Sequence, residues 1–238
     1  MQLKFRASLF SFTVGTALML APAYSTTITT YSTLSSWQAA TSTGYQTVTF
    51  AGTTPSNTAT DYWSATGMTV DGVEFIGYNS AGQSDLQVVD TSGSNFTYYD
   101  WGTGDAPLQN LSRPNAGSPL PYINIVLPAN VTALSLDFWS TSPQALSYSI
   151  TVAGNQYTVP TYTQPTLAFW GITSSTAISS IQLTLEGSTY NSSSNELLAD
   201  FSFGASDLAA APEAGTYLLI GSGLIGFVAL RKRLVPRK

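Results

Sequence analysis

The stretch YINIVLPANVTALSLDFW, residues 122–139, reads as two strands with a break between them. Residues 122–127 and 131–139 are rich in Ile, Val, Leu and aromatics, and Pro128-Ala129-Asn130 interrupts them. The same pattern recurs on both sides. Residues 67–75 read as strand, Asp71-Gly72 turn, strand, because Asp-Gly suits the positive φ of a two-residue hairpin loop. Residues 146–152 and 156–159 flank Ala153-Gly154-Asn155, a second hairpin. Shorter runs lie at 47–50 and 85–90, and longer ones at 166–172, 178–185 and 196–203. In the last, period-2 alternation places Leu197, Ala199, Phe201 and Phe203 on one face and Leu198, Asp200 and Ser202 on the other. The helical suggestion is residues 34–40, with Ser32 or Thr33 as N-cap. Many short strands with Gly, Pro and Asn at the breaks predict an all-β fold, an antiparallel β-sandwich of jelly-roll-like type. Trp37, Trp139 and Trp170 are expected in its core.

Composition narrows the chemistry. The 238 residues include no His and no Cys. That removes the Ser-His-Asp triad, thiol nucleophiles, disulfides and Cys/His zinc sites. Between Tyr24 and Ala211 the one base is Arg113, and twelve of the thirteen acids lie there. A phosphate backbone would be repelled, so no nucleic acid is expected as partner. Roughly a quarter of the chain is Ser or Thr, so hydroxyls and amides must keep the surface soluble.

The ends read as addresses. Lys4 and Arg6 precede an apolar run at 7–20, and Ala21-Pro22-Ala23 places small residues at −3 and −1. A signal peptide at 1–23 is expected, carried by the Sec translocon and cut by signal peptidase before Tyr24. Residues 214–230 are uncharged and apolar. As a helix they reach ~25 Å, close to the ~30 Å hydrocarbon core. Arg231, Lys232 and Arg233 can snorkel, and should stay on the cytoplasmic side. The predicted layout is a signal peptide at 1–23, an extracellular sandwich at 24–206 and a tail at 207–238. The chain would first be a single-pass inner-membrane protein, its C-terminus cytoplasmic.

Pro212-Glu213-Ala214, the short apolar helix and Arg231-Lys232-Arg233 together resemble the PEP-CTERM sorting tail. That family has Pro where this chain has Ala214, and this chain runs on past the basic cluster to Lys238. The resemblance implies exosortase as partner, a membrane-embedded cysteine transpeptidase or protease. It implies recognition near Pro212 and Glu213, removal of the helix, and release or display at the cell surface or in the matrix. The domain also resembles a common extracellular domain of such proteins, through Phe50-Ala51-Gly52, residues 167–174 and Asp200-Phe201-Ser202-Phe203-Gly204. Those jelly rolls resemble carbohydrate-binding modules, some with a structural calcium, but Ala51 stands where a carboxylate would be expected.

Residues 91–121 show little periodicity and are expected to be a long loop, a common place for function. Tyr98, Tyr99 and Trp101 there, with Tyr62 and Trp63 elsewhere, are candidates for stacking on sugar rings. Asp100, Asp105 and Asp200 are candidate ligands for a hard cation such as calcium, which wants oxygen donors, and Asn110 can join them. The alternative for these residues is to cover the end of the sandwich. No catalytic residue is singled out. A glycosidase needs two carboxylates at a set spacing, and Glu74, Glu186 and Glu196 are available without a local motif. The expectation is a non-catalytic surface or matrix protein with a structural, adhesive or weak glycan-binding role, exopolysaccharide being the partner polymer. The alternatives are a polysaccharide-active enzyme or a calcium-stabilised module.

Overall fold

The computed structural model describes residues 26–42, 44–78, 85–99, 106–111, 120–140, 147–160, 167–186 and 196–207. They form two antiparallel sheets. The order along the chain is β1 (Ile28–Tyr31), α1 (Leu34–Ala39), β2 (Gln46–Val48), β3 (Ala59–Tyr62), β4 (Met68–Val70), β5 (Val73–Tyr78) and β6 (Leu86–Val89). A 3₁₀ turn (Ser94–Tyr99) follows, then β7 (Leu108–Asn110), β8 (Tyr122–Val126), β9 (Ala133–Ser140) and β10 (Ser147–Val152). β11 (Asn155–Pro160), β12 (Ala168–Ser174), β13 (Ser180–Glu186) and β14 (Glu196–Gly204) complete the chain.

The eight-stranded sheet runs β1-β12-β9-β14-β7-β6-β3, and β2 also pairs with β14. The six-stranded sheet runs β11-β10-β13-β8-β5-β4. The two strands of the opening stretch, β8 and β9, therefore lie in different sheets. Asn130, at φ 68°, turns the chain between them. Where a two-residue loop does join paired strands, its backbone is left-handed at both positions. Asp71 and Gly72 (φ 51° and 80°) connect β4 to β5, and Ala153 and Gly154 (φ 48° and 78°) connect β10 to β11. That twist matches the flanking strands.

Inward side chains of both sheets form one core. Phe50 packs edge-on against Phe75, and Phe75 against Phe201, with ring centroids 5.1 and 6.0 Å apart. Tyr148 also crosses it, its hydroxyl accepting the backbone N–H of Leu197 at 2.9 Å. Trp170 is buried in this core as expected, Trp37 is buried against the other face of β12, and the Trp139 side chain lies outside the described residues. Trp37 belongs to α1, whose cap is Thr33: its hydroxyl accepts from the Ser36 N–H at 3.3 Å. The indole N–H donates to the Ile172 carbonyl at 3.2 Å. Its ring lies so close to β12 that a Cβ on Gly171 would meet Trp37 at 2.8 Å.

Three expectations are corrected. Residues 91–121 are not a single open loop, since they contain the 3₁₀ turn and β7, a strand too short to show a period. The Ser/Thr-rich stretch 26–36, whose composition suits an exposed loop, instead contains β1, paired with β12. The third concerns β14. Its register against β9 shifts between Leu198 and Asp200. This bulge puts Leu198 in the main core with Phe201 and Phe203, while Leu197 and Ala199 form a separate small cluster. One extra residue reverses the faces on either side of it.

Candidate functional site

Beside the bulge in β14 a carboxylate faces outward. β9 buries Leu134, Leu136 and Phe138 in the core, so Ser135 and Asp137 take the outer face of the eight-stranded sheet. Past the bulge, Asp200 and Ser202 share that face, opposite the buried Phe201 and Phe203. Asp200 is then the direct cross-strand partner of Asp137. Directly opposed residues place their Cβ atoms ~4.5–5.5 Å apart, and like charges there repel. Burial first, and the Asp200 carboxylate second, push the Asp137 carboxyl up to about 6. Phe169 on β12 is the partner of Asp137 on its other side. One rung away lie Ser135 and Ser202, the latter sharing a 2.9 Å hydrogen bond with Thr47.

Two carboxylates side by side begin a hard-cation site, but calcium takes six to eight oxygens. Among the described residues no third acidic side chain joins the pair. Asp100 and Asp105 lie outside the described residues. Asp137 escaped the sequence reading because it sits in a strand between Leu136 and Phe138. A charge at an outward position was the available signal.

The aromatic candidates separate. Tyr62 is half-buried against the core and its hydroxyl donates to the Thr53 carbonyl at 3.0 Å. Trp63, the next residue, is 63% exposed, and the chain there leaves the edge strand of one sheet for the edge strand of the other. Tyr98 and Tyr99 end the 3₁₀ turn, and their side chains lie outside the described residues, as does Trp101. The start of that turn is pinned. Asp90 accepts from the backbone N–H groups of Asn57 and Ser92, both at 2.9 Å, and Asn57 accepts from that of Asn95 at 3.0 Å. The Ser92 hydroxyl and then the Asn57 N–H hold the Asp90 carboxyl below its ordinary value. Asn110 is fully buried, its amide donating to the carbonyls of Tyr78 and Tyr122, both at 3.1 Å.

The glutamates are spread out. Glu74 lies in register with Val126, and Val126 with Ser180. Glu186 is six residues further along β13, about 20 Å at ~3.3 Å per residue. Paired glycosidase carboxylates stand ~5–9.5 Å apart. Glu196 starts β14 in the other sheet.

The tail residues Pro212, Glu213, Ala214, Arg231, Lys232 and Arg233 lie outside the described residues, as do Ala21 and Ala23. Their sequence is nonetheless decisive. Residues 210–233 match the model of the PEP-CTERM protein-sorting motif. This chain carries a PEP-CTERM sorting tail. The match begins before Pro212 and ends at Arg233, so it takes in the Pro-Glu pair, the apolar run and the basic cluster. Among the described residues no helix is long and apolar enough to cross a membrane. No curated protein matches this chain.

Two solved structures are similar to it in outline. One is a family 35 carbohydrate-binding module from Clostridium thermocellum, at 11% identity and a TM-score of 0.34, covering 62% of this chain and 98% of that one. The other is the isomalto-dextranase of Arthrobacter globiformis T6 complexed with panose, at 14% identity and a TM-score of 0.33. It covers 68% of this chain and 33% of the enzyme. Likeness at this level carries no functional weight.

Proposed function

We propose that this protein is exported, sorted by exosortase, and displayed at the cell surface or released into the matrix, where its β-sandwich acts by contact and not by catalysis. The observation that carries the reading is the sorting motif at 210–233. In this account signal peptidase cuts before Tyr24, and the helix at 214–230 holds the chain in the inner membrane with its basic end cytoplasmic. Exosortase then acts near Pro212 and Glu213.

The non-catalytic part rests on the side-chain inventory. His, Cys and an internal Lys are absent from the sandwich, and Glu74 and Glu186 stand far apart on its six-stranded sheet. What the domain offers instead is a hydroxyl- and amide-rich surface suited to weak contact with exopolysaccharide. Double substitution of Pro212 and Glu213 by Ala tests the sorting step. The full-length form should accumulate in the membrane fraction of an exosortase-bearing host. Processing at the wild-type rate would overturn the proposal.

A further inference from the structure

The outer face of the six-stranded sheet carries side chains that neither the core nor the tail uses. Its strands bury Phe75, Ile123, Ile125, Leu183 and Ile150 inward, so the residues between them face out. Two adjacent rows cross four strands. Tyr78, Tyr122, Thr184 and Ser149 are successive cross-strand partners on β5, β8, β13 and β10. Ile76, Asn124, Gln182 and Thr151 form the next row. Four strands at ~4.8 Å spacing span roughly 14 Å, room for about three sugar rings.

The first row supplies an aromatic surface. Tyr78 and Tyr122 stack with centroids 4.7 Å apart and planes 19° from parallel. Both rings are half-buried, so part of the pair is open to solvent on this face. The pair is fixed from below, since the buried Asn110 amide ties the Tyr78 and Tyr122 carbonyls together.

The second row supplies hydrogen-bonding groups. Asn124, Thr151, Ser180 and Gln182 line a groove of about 290 Å³ that opens beside the Ala153-Gly154 turn. Its floor is already organised. The Gln182 amide N–H donates to the Thr184 hydroxyl at 3.2 Å, leaving its carbonyl oxygen available, and the Gln156 amide N–H donates to the Ser149 hydroxyl. Amides present donor and acceptor together, as sugar hydroxyls require. Charge narrows the ligand further. The described residues contain no Lys or Arg, and the nearest ionisable groups on this face are Glu74 and Glu186. Among the described residues an anionic polymer would meet only like charge.

We infer that this face binds an uncharged polysaccharide chain, with the Tyr78–Tyr122 pair packing on a sugar ring and Asn124, Gln182 and Thr151 hydrogen-bonding its hydroxyls. This rests on the reading of the protein as a glycan-contacting surface protein, and names the site and ligand class.

The test is affinity electrophoresis of the full chain in a non-glycosidic detergent, with hydroxyethyl cellulose, dextran or alginate in the gel. At least one neutral polymer should retard the wild type, and alginate should not. Tyr122→Ala should weaken binding about tenfold, and Tyr122→Phe should stay within about twofold. If Tyr122→Ala fails to fold, the surface variant Asn124→Ala/Gln182→Ala decides. It should keep the wild-type melting temperature and also bind about tenfold less. Wild-type binding by these variants, with loss in Trp63→Ala or Trp101→Ala, would overturn this site and leave the glycan reading standing. Retardation by alginate alone would overturn the uncharged class. No retardation by any polymer would remove this site and the glycan role together, without touching the sorting step.

Discussion

The outer faces of the two sheets follow the same alternation and end with different chemistry. On the eight-stranded sheet, α1 lays Trp37 over Gly171, and Asp200, beside the β14 bulge, lies opposite Asp137. That face is partly covered and holds a repulsive pair. On the six-stranded sheet the outward rows are Tyr, Thr, Ser, Asn and Gln, with the tyrosine pair stacked and the amides bonded to hydroxyls. One face is covered by α1 and carries an acidic pair that costs stability at neutral pH, while the other presents neutral hydrogen-bonding groups. Sheets of one sandwich can thus divide stability from contact, because each outward position is free of the shared core.

The sharpest way to break this contrast is to remove the cover. Trp37→Ala deletes a fully buried side chain and its bond to Ile172. It should cost ~3–5 kcal/mol of stability by urea denaturation. A loss under about 1 kcal/mol would mean that α1 does not hold the eight-stranded sheet.

Next is the tie beneath the tyrosines. Asn110→Ala leaves two carbonyls without the amide donor, and should cost about 1–3 kcal/mol. It should also weaken neutral-polymer binding through loss of the Tyr78–Tyr122 register. Unchanged binding with lowered stability would separate the tie from the platform.

The acidic pair gives a smaller, pH-dependent effect. With a folded value of about 6 against 3.8 for the ordinary carboxyl, Asp137 binds its proton more tightly in the folded state. Stability should therefore fall as pH rises from about 4 to about 6, and stay lower above that. Asp137→Asn should remove this slope. It should gain about 1–2 kcal/mol at pH 7.5 after discounting for solvent screening, and little at pH 4. The urea midpoints at the two pH values measure it. A calcium-dependent rise in melting temperature that Asp137→Asn abolishes would instead make the pair part of a cation site. Smallest of all is Asp90→Asn. The Asp90 carboxylate is held below its ordinary value, so its contribution is present at neutral pH and lost as pH falls through the folded value. Asp90 and its partners lie near the surface, where solvent screens the effect, so a few tenths of a kcal/mol is expected from the same midpoints.

The sequence patterns that were legible are those fixed by local chemistry. Asp71-Gly72 announced its hairpin, Thr33 capped α1, and the Ile/Val-rich runs became strands because half-buried pleats select them. Strand order was not legible: nothing local to β8 and β9 says that they belong to opposite sheets. The bulge was hidden because both Leu197 and Leu198 are apolar, so either face fits either residue. β7, three residues long, carries no period. For the site, attention to clustered aromatics favoured residues 96–101. The tyrosine pair was invisible in the same way, since Tyr78 and Tyr122 are far apart in sequence and meet only through the β5–β8 register. The tail, by contrast, is a linear signal and was readable without any fold.

The most direct measurement is the intact mass of the protein recovered from cell fractions and medium, in an exosortase-bearing host and in one lacking the enzyme. The account predicts a chain that begins at Tyr24 in both hosts and is shortened near Pro212 only where exosortase is present. A product that extends to Lys238 in both hosts would contradict it and make the protein a permanent membrane resident.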